Sequence, residues 1–263
     1  MATKLGENFV AKGVSISQIY SKTIGNAQKL AKHINSTAIN SLAELDINTD
    51  IIIISISDKA LKMFDFSLLP TDSLVCHTSG SVSVNILSSC SNYGIFYPLQ
   101  TFSKNADVDI KKVPFCIEAN SESNLKILKS LANVLSDSIY EVSSIEREKL
   151  HLAAVFACNF TNAMYSVADE LLSKYGLDFN ILRPLIEETA KKALLNKPSD
   201  IQTGPAIRND KEIMAKHIAE LDNNNYKDLY LLISKTIVDI SGVEVIKTER
   251  TEQEISDNLA DNF

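Results

Sequence analysis

The sequence predicts an α/β protein, with an N-terminal Rossmann-type half built on a parallel sheet and an all-helical C-terminal half. Three observations carry this reading. Short apolar runs alternate with helix-like stretches over residues 1–120, the pattern of right-handed βαβ units. The run Asp50–Ser57 (DIIIISIS) is an almost unbroken β-branched stretch, which marks a strand buried on both faces of a parallel sheet. From about Ile145 the strand signals stop, and neither Gly nor Pro interrupts Ile145–Tyr175, so one long helix is expected there.

Taken in order, Ala2–Val10 reads as a helix with Gly6 inside it, and Val14–Tyr20 as a strand. Ile24–Ile34 is helical, with Ala27, Leu30, Ala31 and Ile34 on one face. Leu74–His77, Gly94–Tyr97 and Phe115–Glu118 read as short strands, the last followed by an amphipathic helix over Leu125–Leu135. The long helix ends at Gly176 as its cap. Further helices are expected at Ile181–Leu195, Asp210–Leu221 and Tyr226–Ile240, with a Pro- and Gly-bearing loop over Asn196–Ile207. The tail from Val243 holds six acids against two bases and reads as solvated. The domains expected are 1–144 (dinucleotide-binding), 145–242 (helical, for substrate and dimerisation) and 243–263 (acidic tail).

A dinucleotide-binding sheet opens with a strand, a glycine-rich turn that lets the backbone approach the pyrophosphate, and a helix whose N-terminus holds the charge. Here the chain opens in what reads as that helix, with no strand and no Gly-x-Gly-x-x-Gly before it. The expected strand order places the first strand between Val14–Tyr20 and Asp50–Ser57. The expectation is therefore a gene product that starts upstream of Met1, and a sheet that either lacks a strand at that place or pairs Val14–Tyr20 directly with Asp50–Ser57 across a closed gap; the alternative is a differently wound fold that has no such strand.

Composition narrows the function. The chain has 263 residues, 45% of them hydrophobic, and a formal net charge of -7. That supports a sizeable core and argues against a nucleic-acid partner, which needs a basic face. Four cysteines without CxxC spacing imply reduced thiols, and four histidines without ligand spacing imply no metal site. No apolar run approaches the ~20 residues of a membrane helix, and the N-terminus lacks the basic and apolar regions of a signal peptide. A cytoplasmic protein without membrane partners is expected.

Five motifs occur together: His77-Thr78-Ser79-Gly80, Tyr97-Pro98-Leu99-Gln100-Thr101-Phe102, His151-Leu152-Ala153-Ala154-Val155-Phe156, Asn159-Phe160-Thr161-Asn162 and Gln202-Thr203-Gly204-Pro205-Ala206-Ile207-Arg208. In this order they resemble the bacterial Rossmann-like proteins whose helical C-terminal domain is a domain of unknown function. That family is grouped with deazaflavin-dependent NADP oxidoreductases and, more distantly, with ketopantoate reductases and β-hydroxyacid dehydrogenases. The resemblance spans Ala2 to Gly242. It departs at the front, where the family has a strand and a Gly-x-Gly-Asn-Val-Ala turn and this chain has Met1 in place of the Val. The related β-hydroxyacid dehydrogenases carry a lysine one turn before the helix Asn; Val155 stands there, so no lysine mechanism is implied.

The chemistry is expected from a few polar residues. Ser21, Lys22 and Thr23 follow the Val14–Tyr20 strand, where NAD-specific sites place an acid; a cation and hydroxyls suit a 2′-phosphate instead, although an ordinary polar turn reads equally well. Ser55, Ser57 and Asp58 end the β-branched strand; the serine hydroxyls are candidates to line the cofactor groove, against capping of the next helix by Ser57 or Asp58, with Asp58 the favoured cap. His77 and Ser79 end another strand and either meet nicotinamide or substrate or form a tight turn with Gly80. On the long helix His151, Asn159, Asn162 and Ser166 fall at about 0°, 80°, 20° and 60°. This uncharged stripe suits a cleft, His151 donating a proton and the amides holding a carbonyl oxygen; Glu148, Asp169 and Ser173 continue it at both ends, as on a face turned to water. Thr203 and Arg208 are candidates to receive a substrate carboxylate, against a surface Arg208 beside a capping Asp210.

Together these predict an NADP-dependent oxidoreductase acting on a small carbonyl or hydroxy acid in the cleft between the domains, as a homodimer through the helical half. The alternatives are a ketopantoate-reductase-like enzyme and a non-catalytic, nucleotide-sensing dimer.

Overall fold

A computed structural model describes residues 1–102 and 108–241. The acidic tail 243–263 lies outside the described residues. By contacts the chain divides into two units, Met1–Asn162 and Ala163–Phe263. The α/β unit thus runs past residue 144, where the change in sequence pattern suggested a boundary.

The first unit is α/β. Helix α1 (Ala2–Ala11) leads to strand β1 (Gln18–Tyr20), α2 (Ile24–Ile34) and β2 (Thr37–Ile39). β1 and β2 pair in parallel as a two-stranded sheet. A second sheet holds β3 (Ile51–Ile54), β4 (Leu74–His77), β5 (Asn92–Pro98), β6 (Phe115–Ala119) and β7 (Ile139–Glu141), side by side in that order. β3, β4 and β5 run parallel, and so do β6 and β7. β5 and β6 are antiparallel, where sequence predicted a parallel sheet throughout. A parallel return needs a long crossover, generally a helix; the described part of the β5–β6 link holds only a 3-10 turn, Ile110–Lys112.

β1 and β3, expected on either side of a further strand, do not pair with each other. β3 is an edge strand of its sheet, and Ile51, Ile52 and Ile53 are only half-buried. The β-branched run therefore forms a strand, but not one covered on both faces.

Side chains alternate across the five-stranded sheet, as period two demands. Leu74, Cys76, Phe96, Phe115 and Ile117 point to one face, where Leu5 and Phe9 of α1 and Leu128, Ala132 and Leu135 of α4 (Glu122–Leu135) cover them. On the other face Val75 packs with Leu61 of the short helix α3 (Asp58–Lys62). Ile95, Tyr97 and Cys116 pack there with Val84, Val142 and Leu150. Leu150 belongs to α5 (Ser144–Ala154), which Ser143 starts with a capping box to Glu146.

The expected long helix is present with a change of register inside it. After α5, Val155–Phe160 form a π-helical segment, and α6 (Thr161–Ser173) resumes the α-helix. Gly176, at φ 67°, follows its end as expected of a cap.

In the second unit, α7 (Arg183–Leu195), α8 (Lys211–Glu220) and α9 (Asn224–Ser241) follow α6. Tyr226 donates to Glu170, Lys174 pairs with Asp222, and His217 meets the Tyr230 hydroxyl.

Candidate active site

Polar side chains gather at the carboxyl ends of β3, β4 and β5, the edge at which an open α/β sheet binds ligands. Beyond β3, Ser55 accepts from the Thr78 hydroxyl at 3.2 Å, and Ser57 caps α3 by accepting from the Ala60 N–H. Beyond β4 the chain makes a tight turn. The Ser79 hydroxyl accepts from the N–H groups of Ser81 (3.2 Å) and Val82 (3.1 Å), and Ser81 donates to Asp58 Oδ2 at 2.5 Å. His77 lies wholly inside this turn: its Nδ1 accepts from the Ser79 N–H at 3.2 Å, and its Nε2 faces the Ser83 carbonyl at 3.4 Å.

Helix α5 is tied to the same turn through a buried ion pair. Arg147, 0% exposed, donates through Nη1 to Glu118 on β6 at 2.7 Å and through Nη2 to the Val82 carbonyl at 2.5 Å. Ser144 accepts from the Val84 N–H at 2.9 Å and donates to Glu118 at 2.7 Å. One helical turn past Arg147, the half-buried His151 brings Nδ1 to 3.1 Å from the Tyr97 hydroxyl at the end of β5. The pair lies over Gly80. A Cβ on Gly80 would stand 2.6 Å from His151 Nδ1 and 2.9 Å from the Tyr97 ring, so the site requires glycine there for space.

The electrostatics follow from burial. Desolvation pushes the His77 imidazole down to about 4, so this ring is neutral at pH 7. Burial raises the Tyr97 phenol to about 12. For Asp58 burial acts upward, but hydrogen bonds from Ser81 and Ser79 and the positive field of His151 outweigh it, and its carboxyl sits below the usual range. The arrangement presents one half-buried imidazole, held by a phenol and backed by a carboxylate, at the mouth of three parallel strands. Such a group can hand a proton to a bound molecule.

Of the residues singled out in sequence, Ser55, Ser57, His77, Ser79 and His151 come together here. His77 needs correction as a ligand for cofactor or substrate: it is buried and both ring nitrogens face its own turn, the tight-turn alternative. Ser79 is likewise occupied in the turn and 8% exposed. Ser57, not Asp58, is the helix cap. Asn159 and Asn162 are exposed. The π segment, which contains Asn159 and precedes Asn162, breaks the 3.6-residue phase that a single stripe with His151 requires. Thr203 and Arg208 are exposed in a loop of the second unit, and Asp210 caps α8 through the Ile213 N–H. Ser21, Lys22 and Thr23 join the end of β1 to the N-terminus of α2. Among the described residues no acidic, His or Cys cluster is arranged to hold a metal.

Sequence reasoning missed the roles of Tyr97, Asp58, Gly80 and Arg147. Tyr97 ends an apolar strand at the carboxyl side of the sheet, which was signal enough to consider its hydroxyl. The burial of Arg147 had no signal, because Ser144–Lys149 reads as an ordinary solvated helix start.

Comparison with known proteins agrees with this architecture. Residues 113–237 match the family described as domain of unknown function (DUF2520). A crystal structure from Bacteroides fragilis, of a protein provisionally named an NADP oxidoreductase, is 40% identical, with 90% of this chain and 94% of that one aligned and a TM-score of 0.85. The protein TM1727 from Thermotoga maritima is 22% identical over 92% of this chain and 96% of that one, with a TM-score of 0.77. An imine reductase from Myxococcus stipitatus, solved with NADP+, is 14% identical over 91% of each chain, with a TM-score of 0.60, and shares the fold. No curated protein matches. The chain belongs to the family of Rossmann-like proteins that carry this helical domain, as the five motifs suggested.

Proposed function

We propose that this protein is an NADP-dependent oxidoreductase acting on a small carbonyl or hydroxy acid. The observation that carries the reading is the His151–Tyr97 pair over Gly80, at the carboxyl ends of β3–β5. The provisional name of the Bacteroides fragilis relative supports the choice of cofactor. So does the start of α2. Thr23, its N-cap, makes no side-chain cap bond, and the first turn holds no acid. This leaves a positive helix end beside Lys22 and the hydroxyls of Ser21 and Thr23, which suits a phosphate. These residues would hold the 2′-phosphate; the bound dinucleotide supplies hydride.

The chain's own groups would do the rest. His151 donates the proton that accompanies hydride. Asn159 and Asn162 are proposed to hold the carbonyl oxygen, and Thr203 and Arg208 to receive a substrate carboxylate. The test is loss of NADPH absorbance with a panel of small 2-keto acids. Turnover is expected, lowered ~10²-fold by His151→Asn, with NADPH affinity kept. Tight NADPH binding without turnover on any member would point to nucleotide sensing instead.

A further inference from the structure

We infer that Tyr97 is a positioning residue that fixes His151 with Nε2 as its proton-bearing, ligand-facing nitrogen. The inference rests on the reductase reading above and adds a residue and a tautomer to it. Tyr97 is 6% exposed and has its hydroxyl 3.1 Å from His151 Nδ1, with the two rings edge to face at 72°. The imidazole cannot slide away over the turn's backbone without changing the contact at Gly80, where ring and backbone already meet too closely for a Cβ. From below, Arg147 locks the same helix to the Val82 carbonyl one turn earlier.

The consequence is chemical. A hydroxyl can donate or accept. When the ring is neutral, the phenol donates to Nδ1 and the ring proton resides on Nε2. When the ring is charged, Nδ1–H donates to the phenol oxygen and Nε2 again carries a proton. In both states Nδ1 is occupied and Nε2–H is the group on offer. The charged groups around the ring are Asp58 on α3 and Arg147 on its own helix, with the Tyr97 phenol on β5. Reduction of a carbonyl by reduced nicotinamide adds hydride to carbon, and the carbonyl π pair moves to oxygen. The O–H bond then forms as Nε2–H of the charged ring breaks, leaving a neutral imidazole whose remaining proton is the Nδ1–H donated to the Tyr97 oxygen; solvent then reprotonates Nε2.

The experiment is nitrogen-15 NMR of the imidazoles in the full chain, with the His151 signals identified by their loss in His151→Asn. Tyr97→Phe removes one hydroxyl and keeps the ring; its unfolding midpoint verifies that it folds. The wild-type neutral His151 is expected to be predominantly the Nε2–H tautomer, and in Tyr97→Phe a mixture of the two. A predominant Nδ1–H tautomer in the wild type, or the same tautomer ratio in both proteins, overturns the inference. The activity arm separates it from the parent reading. With 2-keto acid turnover in the wild type, Tyr97→Phe should lower kcat roughly tenfold, the scale of one neutral hydrogen bond, with little change in KM. Wild-type turnover with an unaffected kcat in the variant overturns Tyr97's part alone; absence of wild-type turnover on the whole panel overturns the donor role with the reductase reading, and the tautomer still decides the positioning.

Discussion

At the scale of single residues, the site is held by groups that would be costly to bury alone. Arg147 is the clearest case. Its charge is removed from water, and Glu118, the Val82 carbonyl and Ser144 take up its two Nη groups, while Nε is buried without a hydrogen-bond partner among the described residues. Arg147→Met leaves Glu118 without its cation and should destabilise the fold by about 3 kcal/mol, as expected for removing one partner of a buried pair. A urea midpoint equal to the wild type would contradict this. His77 makes a second prediction, on pH. Its ordinary pKa of 6.5 falls to about 4 in the fold. Between those values the unfolded chain binds more protons, so the stability present above pH 6.5 is lost as pH falls towards 4. The interval is worth about 3 kcal/mol, and His77→Gln should flatten that part of the stability–pH curve.

At the scale of elements, periodicity reached what repeats and missed what does not. The bounds of α2 coincide with the reading because its apolar stripe of Ala27, Leu30, Ala31 and Ile34 is regular, and β4 coincides because Leu74–His77 is a compact apolar run. β2 and β7 are three residues each, too short for alternation to show. The π segment was hidden for a different reason: a change from i→i+4 to i→i+5 bonding leaves no mark in residue type, yet it rotates everything after it. The candidate site was legible as separate strand ends and a helix, but not as the pairing of Tyr97 with His151, which needs the long-range placement of α5. Gly94 gives the prediction at this scale. A Cβ there would collide with the Glu118 carbonyl of β6 and lie 2.7 Å from Leu128 of α4. Gly94→Ala should therefore push β5 from β6 and cost ~1–3 kcal/mol as overpacking, seen as a lower unfolding midpoint.

At the scale of the molecule, the two units differ in how they bury apolar surface. The α/β unit has continuous clusters on both faces of its sheet. Among the described residues 163–241, only Ala206 and Ser234 are buried, while Leu185, Leu194 and Leu195 are 63%, 84% and 83% exposed. Exposed apolar area on this scale marks an interaction surface. We propose that a second copy of the chain covers it, and light scattering at micromolar concentration should give a dimer mass; a stable monomer would contradict this. No helix among the described residues is long and apolar enough to cross a membrane. The central claim remains use of NADP, and equilibrium titration of the protein with NADPH and NADH, followed by ligand fluorescence, tests it most directly. NADPH should bind more tightly than NADH, and Lys22→Glu should erase the difference by weakening NADPH alone. No detectable binding of either nucleotide, or a preference for NADH that Lys22→Glu leaves unchanged, would contradict it.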